Sequence, residues 1–103
     1  MAVIEITKEN FEAEVLKSEV PVLADFNADW CGPCKSMRPM LDELANEKTG
    51  YKIVSINIDE EDELAEDYDV ASIPCLVVFK DGKEVNRSVG LIPKDAIAAL
   101  MEE

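Results

Sequence analysis

The stretch Trp30-Cys31-Gly32-Pro33-Cys34-Lys35 lies between an apolar run, Val20 to Phe26, and a segment of helical spacing that begins near Pro33. Two cysteines three positions apart become neighbours when their segment forms the first turn of a helix. Their Cα atoms then fall within the range a disulfide bridges without moving the backbone. Proline suits an opening helical position, because its missing N–H would have no intrahelical partner there. Cys31 is thus expected at or just before a helix N-terminus, where unpaired N–H groups and the macrodipole favour a thiolate. The spacing predicts a reactive thiol at a strand-to-helix junction.

Working outward, Val20 to Phe26 is apolar apart from Asp25, the pattern of a strand covered on both faces. Before it, Val3 to Ile6 predicts a short strand, and Thr7 a cap for a helix from about Lys8 to Lys17 with Phe11 and Val15 inward. After it, Met37, Leu41 and Leu44 recur at helical spacing, flanked by Met40 and Ala45. Pro39 predicts a kink in that helix and Thr49-Gly50 its end. Tyr51 to Ile58 reads as a strand, and Asp59 to Tyr68 as an acidic helix with Leu64, Ala65 and Tyr68 inward. Its acidic residues crowd the opening turns, where the dipole favours them, and the run from Glu60 to Asp69 reads as a solvated face. Cys75 to Lys80 is a strand, Asp81-Gly82 a hairpin turn, and Lys83 to Val89 the returning antiparallel strand. Gly90 breaks it, and Pro93 opens a last helix with Ile97, Leu100 and Met101 apolar. The order β-α-β-α-β-α-β-β-α predicts an α/β fold, a central sheet with helices on both faces, parallel at first and with an antiparallel edge.

The chain of 103 residues, 48% hydrophobic, has the size and composition of one globular domain spanning 1–103. Ten basic residues against 23 acidic ones give a net charge of −13. Such a surface repels nucleic acid and anionic membranes, so neither partner is expected. With no histidine, Cys-His proteases, Ser-His hydrolases and most zinc enzymes are excluded. Three cysteines do not make a disulfide framework; a close pair with one outlier points to redox chemistry. No apolar run reaches the length of a membrane span. The start, Met1 to Glu5, lacks the basic region and long apolar segment of a secretory signal, which favours a cytoplasmic protein. A processed secreted chain would read the same way.

A Cys-x-x-Cys between strand and helix is a redox signature for which thioredoxin is the standard example. The chain resembles the thioredoxin family over essentially its whole length: Asp25-Phe26, the WCGPCK run at 30–35, Pro39, Ile73-Pro74, Phe79, Asp81-Gly82 and Gly90 fall at family-like spacing. The resemblance implies a thioredoxin fold, a central five-stranded mixed sheet flanked by four helices, with a cis Ile73–Pro74 bond facing the cysteines. It also implies a thiol–disulfide oxidoreductase, a protein disulfide reductase that cycles between dithiol and Cys31–Cys34 disulfide without a cofactor. In the family, Cys31 would be the exposed attacking thiol and Cys34 the shielded resolving one, passing through a mixed disulfide. Implied partners are disulfide-containing proteins and a separate thioredoxin reductase-type electron donor, with the chain acting as a monomer.

Asp25 sits in an apolar strand, where an ionised carboxylate is costly. Either alternation or a bend lets it reach water, or it is a buried acid of raised pKa placed to take the proton of Cys34. The resemblance implies the second. Two departures from the family bear on it. Ser55 stands where many members carry a lysine beside the acid, which should leave Asp25 less inclined to ionise. Asn27 replaces a commonly aromatic residue and should thin the packing. Cys75 replaces the usual threonine after the proline, as either a small buried residue or a third thiol near the pair.

Trp30 is expected to pack beside the pair and shield it, or else to serve as ordinary core. Gly32 is expected to allow a tight approach into the helix, Pro33 to stiffen the loop toward a reductant, and Lys35 to assist Cys31 or simply to aid solubility. Ile73, Pro74, Gly90 and Leu91, with Trp30, are candidates for a flat substrate platform that binds an extended strand. Gly90 reads equally well as a simple strand break. Two other classes compete. Metal binding by Cys31, Cys34 and Cys75 falls short of the four ligands zinc usually takes. A redox-inert scaffold would more often have lost a cysteine.

Overall fold

The computed structural model describes residues 2–47 and 50–102. Strand β2 (Val22–Asn27) lies at the centre of the sheet, because its alternate residues can be buried on both faces. Val22, Ala24 and Phe26 join one core cluster, and Leu23 joins the other. Around it run β1 (Ile4–Glu5), β3 (Lys52–Asn57), β4 (Cys75–Lys80) and β5 (Lys83–Val89), in the spatial order β1-β3-β2-β4-β5. The first three strands are mutually parallel; β4 runs antiparallel to both β2 and β5. The antiparallel edge expected from the hairpin is present as the β4–β5 pair, and the antiparallel pairing extends one strand further in, to β2. Chain order reveals the β4–β5 hairpin but not that β4 also pairs with β2.

Helix α1 (Gly32–Glu47) buries Met37, Leu41 and Leu44 as the spacing predicts, and runs on through Pro39. With α3 (Lys94–Glu102), which buries Ile97 and Met101, it covers the Leu23 face. The opposite face takes Phe11 and Val15 from the first helical segment and Leu64 and Ala65 from α2 (Asp62–Asp67), closed by edge-on contacts of Phe79 with Phe11 and Tyr68. Among the described residues the helices are thus three α-helices and one short π-helical segment, Glu12–Leu16.

That segment is shorter than the run from Lys8 to Lys17 expected from periodicity. The chain enters through a turn in which the Thr7 carbonyl accepts the N–H groups of Asn10 and Phe11. It leaves with the Lys17 N–H on Glu12 O, five residues back, at 2.8 Å. The acidic helix also starts late. The Asn57 side-chain oxygen takes the N–H groups of Asp59 (2.9 Å) and Glu60 (3.3 Å), holding them in a turn. The hairpin at Asp81-Gly82 forms with positive φ at both residues, as a two-residue turn between twisted strands requires. Of the stop expected at Thr49-Gly50, Thr49 lies outside the described residues, and Gly50 has a φ of 94°. No helix among the described residues is long and apolar enough to cross a membrane.

Candidate active site

The site forms where β2 ends and α1 begins. Cys31 immediately precedes the helix and caps it: the Cys34 N–H donates to Cys31 Sγ at 3.2 Å, and the Lys35 N–H to the Cys31 carbonyl at 3.2 Å. Pro33 occupies the second helical position, where no donor is missed. The Cys31 N–H is held in turn by the Ala28 carbonyl. The Cα atoms of Cys31 and Cys34 lie 5.3 Å apart, and the two residues are disulfide-bonded.

The expected contrast between an exposed Cys31 and a shielded Cys34 is absent in this oxidised form. Their exposures are 5% and 4%. The bonded pair packs against Ala28 with half-buried Ile58 and Ile73, so the disulfide itself is part of a small apolar cluster. The pair differs in another way. A cleft of about 360 Å³ beside the site is lined by Cys34, together with Asp25, Asn27 and Arg38, and not by Cys31.

Asp25 is 1% exposed, which rules out the water-accessible alternative. Burial pushes its carboxyl from 3.8 up to about 7, against the pull of the Arg38 charge and of the Asn27 amide. The Asn27 amide donates to Ser55 Oγ at 2.8 Å and reaches Asp25 Oδ2 at 3.4 Å, while Asp25 Oδ1 has no hydrogen-bond partner among the described residues. The two departures at 27 and 55 are therefore one hydrogen-bonded unit around the acid. Asn27 does more than thin the packing. Positive charge is also still present near Asp25, on Arg38 rather than at position 55. Arg38 was missed in the sequence, although it lies one helical turn beyond Cys34 and on the same side.

The Ile73–Pro74 bond is cis. Ile73 touches the cysteine cluster, and the Gly90 N–H donates to the Pro74 carbonyl at 2.8 Å, tying the end of β5 to the site. Gly90 has a φ of 100°, and Leu91 beside it is exposed. Trp30 does not shield the pair by burial: it is 68% exposed, its indole N–H bonded to Asp59 Oδ2 at 2.9 Å. Gly32 has no steric reason to be glycine, since a Cβ there would meet nothing within 4 Å. Lys35 is exposed at the rim of the cleft. Cys75 is a free, buried thiol in the cluster with Phe26 and Phe79, and burial pushes its thiol up. Strand alternation turns it to the sheet face away from α1, so the small buried residue is the reading that fits.

A disulfide at a strand-to-helix junction, opening on a cleft that Cys34 shares with a buried carboxyl, is the site of a thiol–disulfide oxidoreductase. The thioredoxin family model matches residues 2–103. A thioredoxin of Bacillus subtilis is 49% identical over 104 residues, covering 100% of this chain and 98% of that one. Thioredoxin 1 of a Nostoc species is 43% identical over 103 residues, covering 99% and 96%. A solved mutant thioredoxin from Halobacterium salinarum superposes with a TM-score of 0.89 at 36% identity, covering 98% of this chain and 88% of that one. The chain belongs to the thioredoxin family. As such it is a protein disulfide oxidoreductase, with protein substrates and a reductase partner in general terms.

Proposed function

We propose that this single-domain chain reduces protein disulfides by a division of labour between its two cysteines. Cys31 thiolate attacks one sulfur of the substrate disulfide; a Cys31–substrate bond forms and the second substrate sulfur leaves as a thiolate, which takes a proton from water. Cys34 then passes its proton to Asp25 and attacks Cys31. The Cys31–Cys34 bond forms and the first substrate sulfur departs, so that substrate gains two electrons and the dithiol loses two. The observation that carries this reading is the Cys34 N–H on Cys31 Sγ at the mouth of α1: the group that holds the sulfur in the disulfide would stabilise its charge when reduced.

Burial of Asp25 beside the cleft shared with Cys34 supports its role as proton acceptor, since an acid poised near neutrality can both take and return a proton. Cis Pro74, Ile73, Gly90 and Leu91, with exposed Trp30, are read as the surface on which an extended substrate segment lies. Pro33 and Gly32 between the cysteines favour a reductant by family resemblance, and Lys35 after them is read as assisting Cys31 by its charge. The chain is read as a cytoplasmic monomer. It is recharged by a thioredoxin reductase-type donor whose docking face is basic, to match a net charge of −13.

The test is reduction of insulin disulfides with dithiothreitol as electron source, using wild type, Cys31→Ser and Cys34→Ser. Wild type should accelerate precipitation and Cys31→Ser should not. Cys34→Ser, reduced beforehand and freed of dithiothreitol, should accumulate a mixed disulfide on Cys31 when mixed with insulin, identified by peptide mass. No acceleration by wild type would leave a redox-inert scaffold.

A further inference from the structure

The register of the three parallel strands places Glu5, Ser55 and Asp25 side by side in one row across the sheet: Glu5 opposite Ser55, and Ser55 opposite Asp25. Registered neighbours in parallel strands point to the same face. Here that face is the one α1 covers, because Arg38 of α1 reaches Glu5, its Nη2 3.1 Å from Oε2. The same guanidinium holds Asp42 through Nε at 3.1 Å. Arg38 is thus tied to the exposed end, on β1, of a polar row whose other end is a buried carboxylate on β2. It also lines the cleft shared by Asp25 and Cys34.

We propose that Arg38 is a positioning residue that favours the ionised, proton-accepting form of Asp25, and that the Glu5 carboxylate opposes it. The inference rests on Asp25 being the proton partner of Cys34. It adds the device that keeps so deeply buried an acid usable. Each element around Asp25 contributes. From α1 come Arg38, Asp42, Lys35 and Cys34; from β1, Glu5; from the loop after β2, Asp29. On the sheet, Asn27 and Ser55 supply neutral dipoles, and Cys75 of β4, the remaining titratable group nearby, is kept an uncharged thiol by burial. Arg38 and Lys35 are the cations among these groups. Arg38 is the one fixed by two carboxylates, so its position is not averaged away as that of a mobile lysine would be.

The experiment is titration of the Asp25 carboxyl carbon by NMR, in oxidised wild type, Arg38→Gln, Arg38→Lys and Glu5→Gln at low ionic strength. A cation close to a carboxylate lowers its midpoint by about 1–3 units, and partial exposure with two competing carboxylates reduces this to about half a unit here. Arg38→Gln should therefore raise the midpoint by about half a unit, Arg38→Lys should restore only part of it, and Glu5→Gln should lower it. Resolution of the mixed disulfide, followed across pH, should move with the titration and slow about threefold in Arg38→Gln on the acid limb. An Asp25 midpoint unmoved in Arg38→Gln overturns the proposal. So does a shift of the same sign in Arg38→Gln and Glu5→Gln, which would mark a disturbed structure rather than charge. Wild type inactive on insulin would sink the function instead, while the Asp25 midpoints still decide the electrostatic question.

Discussion

Asp25→Asn changes stability in a way that depends on pH, and the size follows from burial. In the folded chain the carboxyl holds its proton up to about 7, against 3.8 when solvated. A raised carboxyl favours the folded state while it is protonated. That advantage is complete below about 3.8 and is lost progressively as pH rises through about 7. The interval is roughly three units, and at about 1.4 kcal/mol per unit the ionised acid costs about 4 kcal/mol at pH 9. At pH 5 the unfolded chain is already ionised and the folded one is not, so the cost is between about 1 and 2 kcal/mol. Asparagine keeps the shape and never ionises. Urea denaturation of the oxidised proteins should therefore show the variant gaining about 2–3 kcal/mol on wild type between pH 5 and pH 9. The constant cost of burying the amide cancels in that comparison. A stability difference that stays flat from pH 5 to 9 would mean that Asp25 is already ionised in the folded protein at pH 5, its carboxyl not raised as burial requires.

Three further outcomes are expected. Cys75→Ser should destabilise the fold by about 1–3 kcal/mol, because it buries a hydroxyl in an apolar cluster, yet leave insulin reduction unchanged; lost activity in a stable variant would give this thiol a chemical role. Gly82→Ala should cost about 1–2 kcal/mol in thermal or urea unfolding, since φ is +79° and a Cβ would stand 2.9 Å from the Leu16 carbonyl oxygen. Recycling by a reductase with a basic docking face should slow as salt rises, given a net charge of −13; rates independent of salt would remove charge from that encounter.

Local chemistry made most of the elements legible. Asp81-Gly82 announced its hairpin because both turn residues need positive φ, and Met37, Leu41 and Leu44 announced the buried face of α1. The misjudged boundaries belong to hydrogen bonds outside the regular helical pattern: the Asn57 side chain holds the start of α2 in a turn, and the backbone bond from the Lys17 N–H to the Glu12 carbonyl, five residues back, makes the first helix a π segment. The interior place of β4 depends on pairing across the sheet, which periodicity along one strand does not carry. At the site, the residues proposed to react were visible as types at fixed spacing. Their surroundings were not. That Asn27 and Ser55 meet at Asp25 depends on the β2–β3 register, and that Arg38 lies over the Glu5–Ser55–Asp25 row depends on how α1 crosses the sheet.

The reactivity of one sulfur is the centre of the mechanism, and it can be measured without substrate or recycling enzyme. Cys31 of the reduced folded protein should react with iodoacetamide at pH 7 several-fold faster than the same residue in urea, because helix N–H groups hold its thiolate. Equal rates in the folded and unfolded chains would show that its seat at the start of α1 confers no acidity, and would leave the first step without a nucleophile.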